Sequence, residues 1–274
     1  MKFTKYEAAG NTYVILHKDG ASLSADRAQA FCHPAYGVGS DGVIGWTMAK
    51  NRSGCVHVDI YNPDGSVAEK SGNGLRILAT FLFEQVFPDV DKIDLMTLGG
   101  RVSATRTENK GEILLEMGIV TPQSDFKGAL KATNGIAGVT LTTAVGDLFG
   151  YPVSIGNPHF VIFDESLSAE KAHEVGPLVE NHPAFPNRTN VQFAKVINHE
   201  TIMAEIWERG AGYTPSSGSS SCAIGAVAHH LGLCASNVTI NMPGGQLKLS
   251  IAADDGTSWL TGPVNKTVEG MFVY

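Results

Sequence analysis

The stretch EKSGNGLRI, residues 69–77, places Ser71 and two glycines at the entrance of an apolar segment. That segment, residues 75–87, has the composition of a buried helix, and glycines at a helix entrance let the backbone approach a ligand. A near copy, Ser-Gly-Ser-Ser at 217–220, precedes a second apolar segment at 221–233. The two entrances indicate a chain built from two related halves.

Equal spacing in the two halves supports an internal repeat. Asn11 and Asn157 each follow a glycine, and each lies the same number of residues before the serine of its half. An acid-isoleucine-aromatic run at 59–61 returns at 205–207, and a Gly-Gly pair follows in each half. Ordered landmarks at a fixed offset predict two structurally similar halves.

Each half combines alternating strand patterns with one segment that is apolar on most faces. Residues 56–61 and 246–251 alternate in polarity, which predicts strands. A helix that is apolar on most faces belongs at the centre of a domain. We therefore predict an α/β fold of two pseudo-symmetric lobes, each a curved β-sheet wrapped around a central apolar helix. The predicted lobes are 1–117 with 263–274, and 118–262, with the active-site cleft between them.

Composition and charge restrict the classes of function. The chain has 274 residues, 43% of them hydrophobic, and its net charge is −7 with scattered basic residues, which argues against a nucleic-acid partner. The first residues lack an apolar signal segment, and no apolar run is long enough to span a bilayer. We expect a cytoplasmic protein without a membrane partner. The sequence leaves a homodimer open.

Cysteine and histidine spacing does not predict a metal site. Cys32, Cys55, Cys222 and Cys234 are widely spaced and form no CxxC or Cys/His ligand pattern. The adjacent pair at 229–230 consists of two histidines whose side chains would point about 100° apart on a helix. We therefore predict neither zinc nor a disulfide framework, and we expect the four cysteines to be packed core residues.

The two helix entrances suit a carboxylate. First-turn N–H groups and the helix dipole form an anion site, and two similar halves can bring two such sites to one ligand. The alternative is that Ser71 and Ser217 are ordinary N-cap residues. Capping alone does not require a Gly-Asn pair at the same distance upstream in both halves. We therefore favour a site in which both serines face one substrate.

Short motifs with glycine, asparagine or both follow one another along nearly the whole chain. In chain order they are Gly10-Asn11, residues 37–42 (GVGSDG), 61–66 (YNPDGS), 72–74 (GNG), 156–159 (GNPH), 189–190 (TN), 208–212 (ERGAG), 243–245 (PGG) and 261–263 (TGP). Because these motifs occur in this order, the chain resembles the diaminopimelate epimerases. These are cofactor-independent amino-acid epimerases of lysine and peptidoglycan precursor synthesis.

This resemblance implies a two-base mechanism without pyridoxal phosphate or any other cofactor. One thiolate removes the α-proton from one face of the substrate, and a thiol on the opposite face returns a proton. The two acid/base residues correspond by position to Ser71 and Ser217, so both thiols are replaced here. A serine hydroxyl titrates far above a thiol and normally needs an adjacent base.

The resemblance also implies a retained set of substrate-binding residues. Arg209 is informative because its planar guanidinium suits a distal carboxylate, the alternative being a surface ion pair with Glu208. The implied binding residues are Asn11, Asn62, Gly72, Asn73, Asn157, His159, Asn190, Glu208, Arg209, Gly218 and Ser219.

Two other side chains are candidates for the acid/base role. Lys70 adjoins Ser71, and Tyr213 stands where the family commonly has glutamate. A lysine or tyrosine with a lowered pKa can act as a general base. The alternatives are a solvated surface lysine at Lys70 and a loop or interface aromatic residue at Tyr213.

The leading functional hypothesis is an epimerase or racemase of diaminopimelate or a related polar amino acid. A second is an isomerase of a small carboxylic acid that catalyses a 1,3-proton shift, since the same site supports proton removal beside a carboxylate. A third is an amino-acid-binding protein that has lost its catalytic groups. The thiols would then have been lost in a natural branch or by deliberate replacement of two cysteines.

Overall fold

The computed structural model describes residues 1–17, 23–49, 55–109, 111–128 and 135–273. It divides the chain into two compact units. Unit 1 comprises Met1–Glu116 and Thr261–Tyr274, and unit 2 comprises Met117–Leu260.

Unit 1 is a mixed sheet with two helices. Its strands pair β1–β2 antiparallel, β2–β3 parallel, β3–β4 antiparallel, β4–β6 parallel and β6–β7 antiparallel. The elements are β1 (Lys2–Ala8), β2 (Asn11–Leu16), α1 (Ala25–Cys32), β3 (Val43–Met48), β4 (Cys55–Tyr61), β5 (Val67–Ala68), α2 (Gly72–Gln85), β6 (Lys92–Thr97), β7 (Gly100–Arg106) and β8 (Glu112–Ile119).

Unit 2 has the same element order after two additional strands. Its sheet pairs β11–β12 antiparallel, β12–β13 parallel, β13–β14 antiparallel, β14–β16 parallel and β16–β17 antiparallel. The elements are β9 (Thr121–Pro122), β10 (Val139–Thr143), β11 (Gly146–Ser154), β12 (Pro158–Phe163), α3 (Ala169–Glu180), β13 (Asn190–Asn198), β14 (Thr201–Glu208), β15 (Gly212–Thr214), α4 (Gly218–His230), β16 (Asn237–Met242), β17 (Gly245–Ile251) and β18 (Thr257–Pro263). The last strand, β19 (Asn265–Met271), pairs with β1.

The predicted internal repeat is confirmed by this topology. Five successive pairings, from β1–β2 to β6–β7, recur with the same directions from β11–β12 to β16–β17. In both units a short strand, β5 or β15, pairs with the strand before it and precedes a helix that begins with glycine. The repeat therefore includes the approach to each helix entrance.

The predicted central helices are α2 and α4. Twelve of the 14 residues of α2 are buried, and so are ten of the 13 residues of α4. Helix α2 packs on β1, β2 and β7, while α4 packs on β11, β12, β13, β16 and β17. The predicted α/β class, with a sheet around a buried helix in each half, is confirmed.

Both central helices begin three residues earlier than the apolar segments indicate. Helix α2 begins at Gly72 and α4 at Gly218, because the preceding serines cap them and the glycines form the first turn. They also end earlier than predicted, at Gln85 and His230. Hydrophobic pattern alone therefore misplaces the part of each helix that belongs to the candidate site.

Helices α1 and α3 add a second packed layer that the sequence analysis does not predict. Both begin with a serine cap: Ser24 Oγ accepts from Arg27 N and Ser168 Oγ from Lys171 N. In unit 1, Phe31 of α1 lies in a core cluster with Val14 and Val43 of the sheet. In unit 2, α3 packs on β13, β14 and β15. Among the described helices, none is both long and apolar enough to cross a membrane.

The burial of α2 predicts a large difference between two chemically identical substitutions in unit 1. Leu78 in α2 is 0% exposed, whereas Leu98 is 71% exposed. Leu78→Ala should lower the free energy of unfolding by about 2–5 kcal/mol, and Leu98→Ala should change it by less than about 0.5 kcal/mol. Urea denaturation of both variants measures the difference, and equal values would show that α2 is not the core helix of unit 1.

Candidate active site

The entrance of α2 is fixed by a capping hydrogen bond from its own backbone. Ser71 has extended dihedral angles, φ −140° and ψ 113°, and its Oγ accepts from Gly74 N at 3.1 Å. The start of a helix, with its dipole and its first-turn N–H groups, is in general a place that favours an anion, and here the cap already engages the Gly74 N–H. Ser71 is therefore an N-cap residue at a place where a carboxylate can bind.

A second hydroxyl group lies against Ser71. Tyr13 Oη is 3.1 Å from Ser71 Oγ, and either oxygen can be the donor. Tyr13 is buried on β2, while Ser71 is partly exposed. Tyr13 is absent from the predicted site, although the repeat offset places it at the position that His159 occupies in the second half. The alignment of Tyr13 with His159 is the sequence signal that could have placed Tyr13 in the site.

The entrance of α4 has a carboxyl group beside its serine. Ser217 Oγ accepts from Ser220 N at 3.4 Å and lies 3.5 Å from Ser219 Oγ, and the Ser217 hydroxyl is one of the groups that lower the pKa of the Glu208 carboxyl. Glu208 is the last residue of β14, which runs antiparallel to β15, the strand just before the helix. The sheet thus positions an acidic group next to the capping serine.

The ionisation of Glu208 is shifted by its surroundings. Burial raises the pKa of the Glu208 carboxyl, and hydrogen bonds from Ser217 and Thr214 lower it by less, so the pKa lies above its usual value. A carboxylate with a raised pKa is a stronger base than an ordinary glutamate. The pair is chemically able to transfer the hydroxyl proton of Ser217 to Glu208.

A buried polar chain supports the entrance of α4. His159 Nδ1 lies 3.0 Å from Gln192 Nε2, and His159 Nε2 lies 2.9 Å from Asn157 Oδ1. In the arrangement in which the Gln192 amide nitrogen donates to Nδ1, the other ring nitrogen, Nε2, donates to Asn157 Oδ1. Asn157 Nδ2 in turn donates to Ser219 Oγ at 3.5 Å. His159 therefore orients Asn157, and both of its ring nitrogens are engaged.

The Asn190 side chain forms a hydrogen bond with the backbone N–H of Arg209. Asn190 Oδ1 accepts from Arg209 N at 2.9 Å, and Asn190 Nδ2 donates to Pro158 O at 2.7 Å. Arg209 Nη1 donates to Asn187 O at 3.2 Å. Hydrogen bonds from Gln123 and Asn187, and the charge of Arg209, lower the pKa of the Asp125 carboxyl. The structure thus gives Arg209 defined partners within unit 2.

The remaining predicted binding residues lie at element ends. Asn11 begins β2 directly after a turn in which Ala9 and Gly10 both have positive φ. Asn62 follows β4, and its Nδ2 donates to Ser66 Oγ at 2.9 Å. Asn73 is buried in the first turn of α2, where its Oδ1 accepts from Arg76 Nη2 at 2.7 Å. Gly72 and Gly218 are the first residues of α2 and α4.

The two alternative acid/base residues have different environments. Tyr213 Oη donates to Glu205 Oε2 at 2.6 Å, and burial together with this bond raises the pKa of Tyr213 to about 12. Its ring also stacks on His173. A raised pKa disfavours the tyrosinate, which argues against Tyr213 as a general base. Lys70 is only 7% exposed, so its interpretation as a solvated surface lysine is wrong.

The cysteines lie away from reactive surroundings. All four are buried and free, and burial raises the pKa of Cys32 and of Cys234. Cys222 is fully buried within α4. In the part of the chain that the structure describes, no group of three or more His, Cys, Asp and Glu side chains is arranged to hold a metal. The structure offers no thiol in place of the two capping serines.

Comparison with known proteins gives full-length matches. The family model described as diaminopimelate epimerase matches residues 3–122 and 151–267. The chain is 39% identical over 272 residues to diaminopimelate epimerase 2 of Nostoc sp. (strain PCC 7120), a match that covers 98% of this chain and 95% of that protein. Diaminopimelate epimerase of Microcystis aeruginosa is 33% identical, with 98% of each chain covered.

A solved structure shares the fold at low sequence identity. The hydroxyproline epimerase from Agrobacterium vitis has a TM-score of 0.71 and 16% identity, with 98% of this chain and 90% of that chain covered. At this identity the likeness concerns the fold.

The environment of Glu208 predicts a pH-dependent stability difference. Its folded pKa is raised, so its favourable contribution is present at low pH and is lost as pH rises through the folded pKa. Relative to Glu208→Gln, the parent should lose unfolding free energy between about pH 4 and pH 8. Ser217→Ala removes a hydroxyl that lowers the pKa of Glu208 and should enlarge that loss. Urea denaturation at both pH values tests this, and parallel curves for parent and Glu208→Gln contradict it.

Proposed function

The chain belongs to the diaminopimelate epimerase family, and we propose that it removes and returns the α-proton of diaminopimelate or a related polar amino acid. The named relatives are epimerases, which are isomerases. A small-molecule substrate is consistent with that class. The new element of the proposal is how a chain with serine at both acid/base positions performs the proton transfer.

The placement of Glu208 at the end of β14, paired with the short strand that leads to Ser217, is the observation that carries this proposal. A serine hydroxyl acts on a proton only with an adjacent base, and Glu208 is that base. Its raised pKa brings its proton affinity nearer to the operating pH. As the α C–H bond breaks, its proton passes to Ser217 Oγ and the hydroxyl proton passes to Glu208. The electron pair remains on the α-carbon and spreads into the substrate carboxylate.

The helix starts then stabilise the charge that develops. Negative charge grows on the α-carboxylate as the α-carbon loses its proton, and N–H groups aimed at that carboxylate stabilise it. We assign this role to the first turns of α2 and α4, through Gly72, Asn73, Gly218 and Ser219. Inversion also needs a proton carrier on the opposite face of the α-carbon, and we assign that role to Ser71.

Polar side chains hold the rest of the substrate in this proposal. Arg209 binds the distal carboxylate, and the negative charge of Glu208 also suits the α-ammonium group. Asn11, Asn62, Asn157 and Asn190 bind the ammonium groups and the distal carboxylate, with His159 orienting Asn157. Homodimer formation and a cytoplasmic location stay predictions.

Incubation with diaminopimelate isomers in D₂O tests the function. The parent should incorporate deuterium at the α-carbon and invert it, as followed by mass spectrometry and chiral chromatography. Ser71→Cys with Ser217→Cys should raise this exchange by about tenfold or more, because each thiol at a helix N-terminus ionises more readily than a hydroxyl. Either single replacement should do much less, since inversion needs a carrier on each face.

Other outcomes of the same incubation separate the alternatives. Deuteration of a small unsaturated acid with migration of its double bond would replace the epimerase proposal with a 1,3-proton shift. Saturable binding without exchange, in both the parent and the double-cysteine variant, would indicate a binding protein. If the double-cysteine variant neither binds nor exchanges diaminopimelate, the substrate class is wrong.

Arg209→Ala tests recognition of the distal carboxylate. Loss of the charge-assisted contact should weaken binding of diaminopimelate by about 1.5–3 kcal/mol, which is roughly 10- to 150-fold in Kd. Arg188→Ala is the matched control, because Arg188 pairs with Glu180 at 2.8 Å in the same unit. Isothermal titration calorimetry should find parent-like affinity for the control. Equal affinity for Arg209→Ala removes Arg209 from the site.

A further inference from the structure

We infer that Tyr13 is the proton partner of Ser71, so that the two hydroxyl groups act as one acid/base relay in unit 1. This inference rests on the proposed function, because it names the group that makes Ser71 able to carry a proton. It begins from one distance, the 3.1 Å between Tyr13 Oη and Ser71 Oγ. Tyr13 acts through Ser71, which is the partly exposed member of the pair.

With Tyr13 as the donor, the hydrogen bonds of Ser71 Oγ leave its own proton available. Gly74 N donates to this oxygen at 3.1 Å, and the phenol of Tyr13 is placed to donate to its second lone pair. A serine oxygen has two acceptor lone pairs and one O–H donor. In the arrangement in which Tyr13 is the donor, both lone pairs of Ser71 Oγ are occupied and its O–H is the group that can face a substrate.

The tyrosine is held firmly in this position. Tyr13 lies in the middle of β2, opposite Tyr6 of β1, and its side chain is 5% exposed. Its ring packs directly on Gly42, where an added Cβ would lie 2.4 Å from Tyr13 Cε1. Glycine at position 42 therefore leaves the space that the aromatic ring occupies. A ring seated in this way keeps its hydroxyl at one place beside the helix entrance.

In this inference, pairing with Tyr13 lets Ser71 exchange a proton without forming an isolated alkoxide. An isolated Ser71 alkoxide is unfavourable because a hydroxyl titrates far above a thiol, whereas a phenol titrates near about 10. When Ser71 gives its proton to the substrate carbanion, the Tyr13 O–H bond breaks and a new O–H bond forms on Ser71. The negative charge then rests on the tyrosinate. In the reverse direction Ser71 takes the α-proton and returns its own proton to the tyrosinate.

The second unit has no such relay at the equivalent strand position. There His159 occupies the place of Tyr13, and its two nitrogens contact Gln192 and Asn157. In the proposed function the acid/base partner of Ser217 is Glu208, which ends the strand paired with β15. The two serines thus have partners of different chemistry, a phenol in one unit and a carboxyl group in the other.

Tyr13→Phe tests the relay because it removes one oxygen and keeps the ring on Gly42. At saturating diaminopimelate in D₂O, the variant should exchange the α-proton at least tenfold more slowly, while its Kd stays within twofold of the parent value. Tyr61→Phe is the matched control, since the Tyr61 hydroxyl donates to the Leu23 carbonyl at 3.1 Å in the same unit. Its exchange rate should match that of the parent.

Repeating Tyr13→Phe in the Ser71→Cys protein separates a role of Tyr13 in proton transfer from a purely structural role. Cysteine at position 71 can ionise without help, so Tyr13→Phe should slow exchange by less than threefold in Ser71→Cys protein. An equal loss in both backgrounds means that Tyr13 only supports the fold, and it overturns the relay. If Tyr13→Phe does not fold, 3-fluorotyrosine at position 13 must move the pH profile of exchange to lower pH. An unmoved profile also overturns the relay.

Failure of the relay differs from failure of the proposed function. If the parent exchanges and Tyr13→Phe exchanges equally fast, the relay is wrong and the epimerase proposal stands. If the parent shows no exchange with any diaminopimelate isomer, the proposed function fails and the relay fails with it.

Discussion

The serine cap at the start of each central helix is the interaction on which the candidate site depends. Ser71 and Ser217 each accept a hydrogen bond from the backbone N–H three residues later. Buried helix ends must have such partners, because an unpaired backbone group away from water is costly. The same bonds fix where the two hydroxyl oxygens lie. In each unit, one hydrogen bond therefore both stabilises the helix start and positions the serine oxygen.

A cysteine at either position could serve both as an N-cap residue and as an acid/base group, whereas a serine readily serves only as the cap. A hydroxyl oxygen is a good N-cap acceptor, so the change from thiol to hydroxyl preserves the helix entrance. It removes the ready ionisation of a thiol, so the proposed function assigns the acid/base role to neighbouring groups. In unit 1 the proposed neighbour is the Tyr13 phenol, and in unit 2 it is the Glu208 carboxyl. The two halves share a topology, and the proposal gives them different proton carriers.

Much of the fold was predictable from the sequence because it rests on periodicity and repetition. The buried helices α2 and α4 follow from long apolar segments, and the repeat follows from equal spacing. Helix α1 was missed because it is short and only three of its eight residues are buried. The Tyr13–Ser71 contact was missed because it joins two residues far apart along the chain, and their distance depends on strand pairing. The burial of Lys70 is likewise a tertiary effect, and so are the burial and the hydrogen bond to Glu205 that raise the pKa of Tyr213.

The path of the chain through the two units has a consequence for biosynthesis. Unit 2 is one continuous segment, whereas unit 1 is built from both ends of the sequence. Strand β1 pairs with β19 from Lys2 opposite Met271 to Glu7 opposite Asn265, so this edge of β1 has no partner until residues 265–271 have left the ribosome. During synthesis, unit 2 can complete its sheet first, although it is made second. An unpaired strand edge invites association with other chains, so the nascent protein carries this hazard until β19 is added.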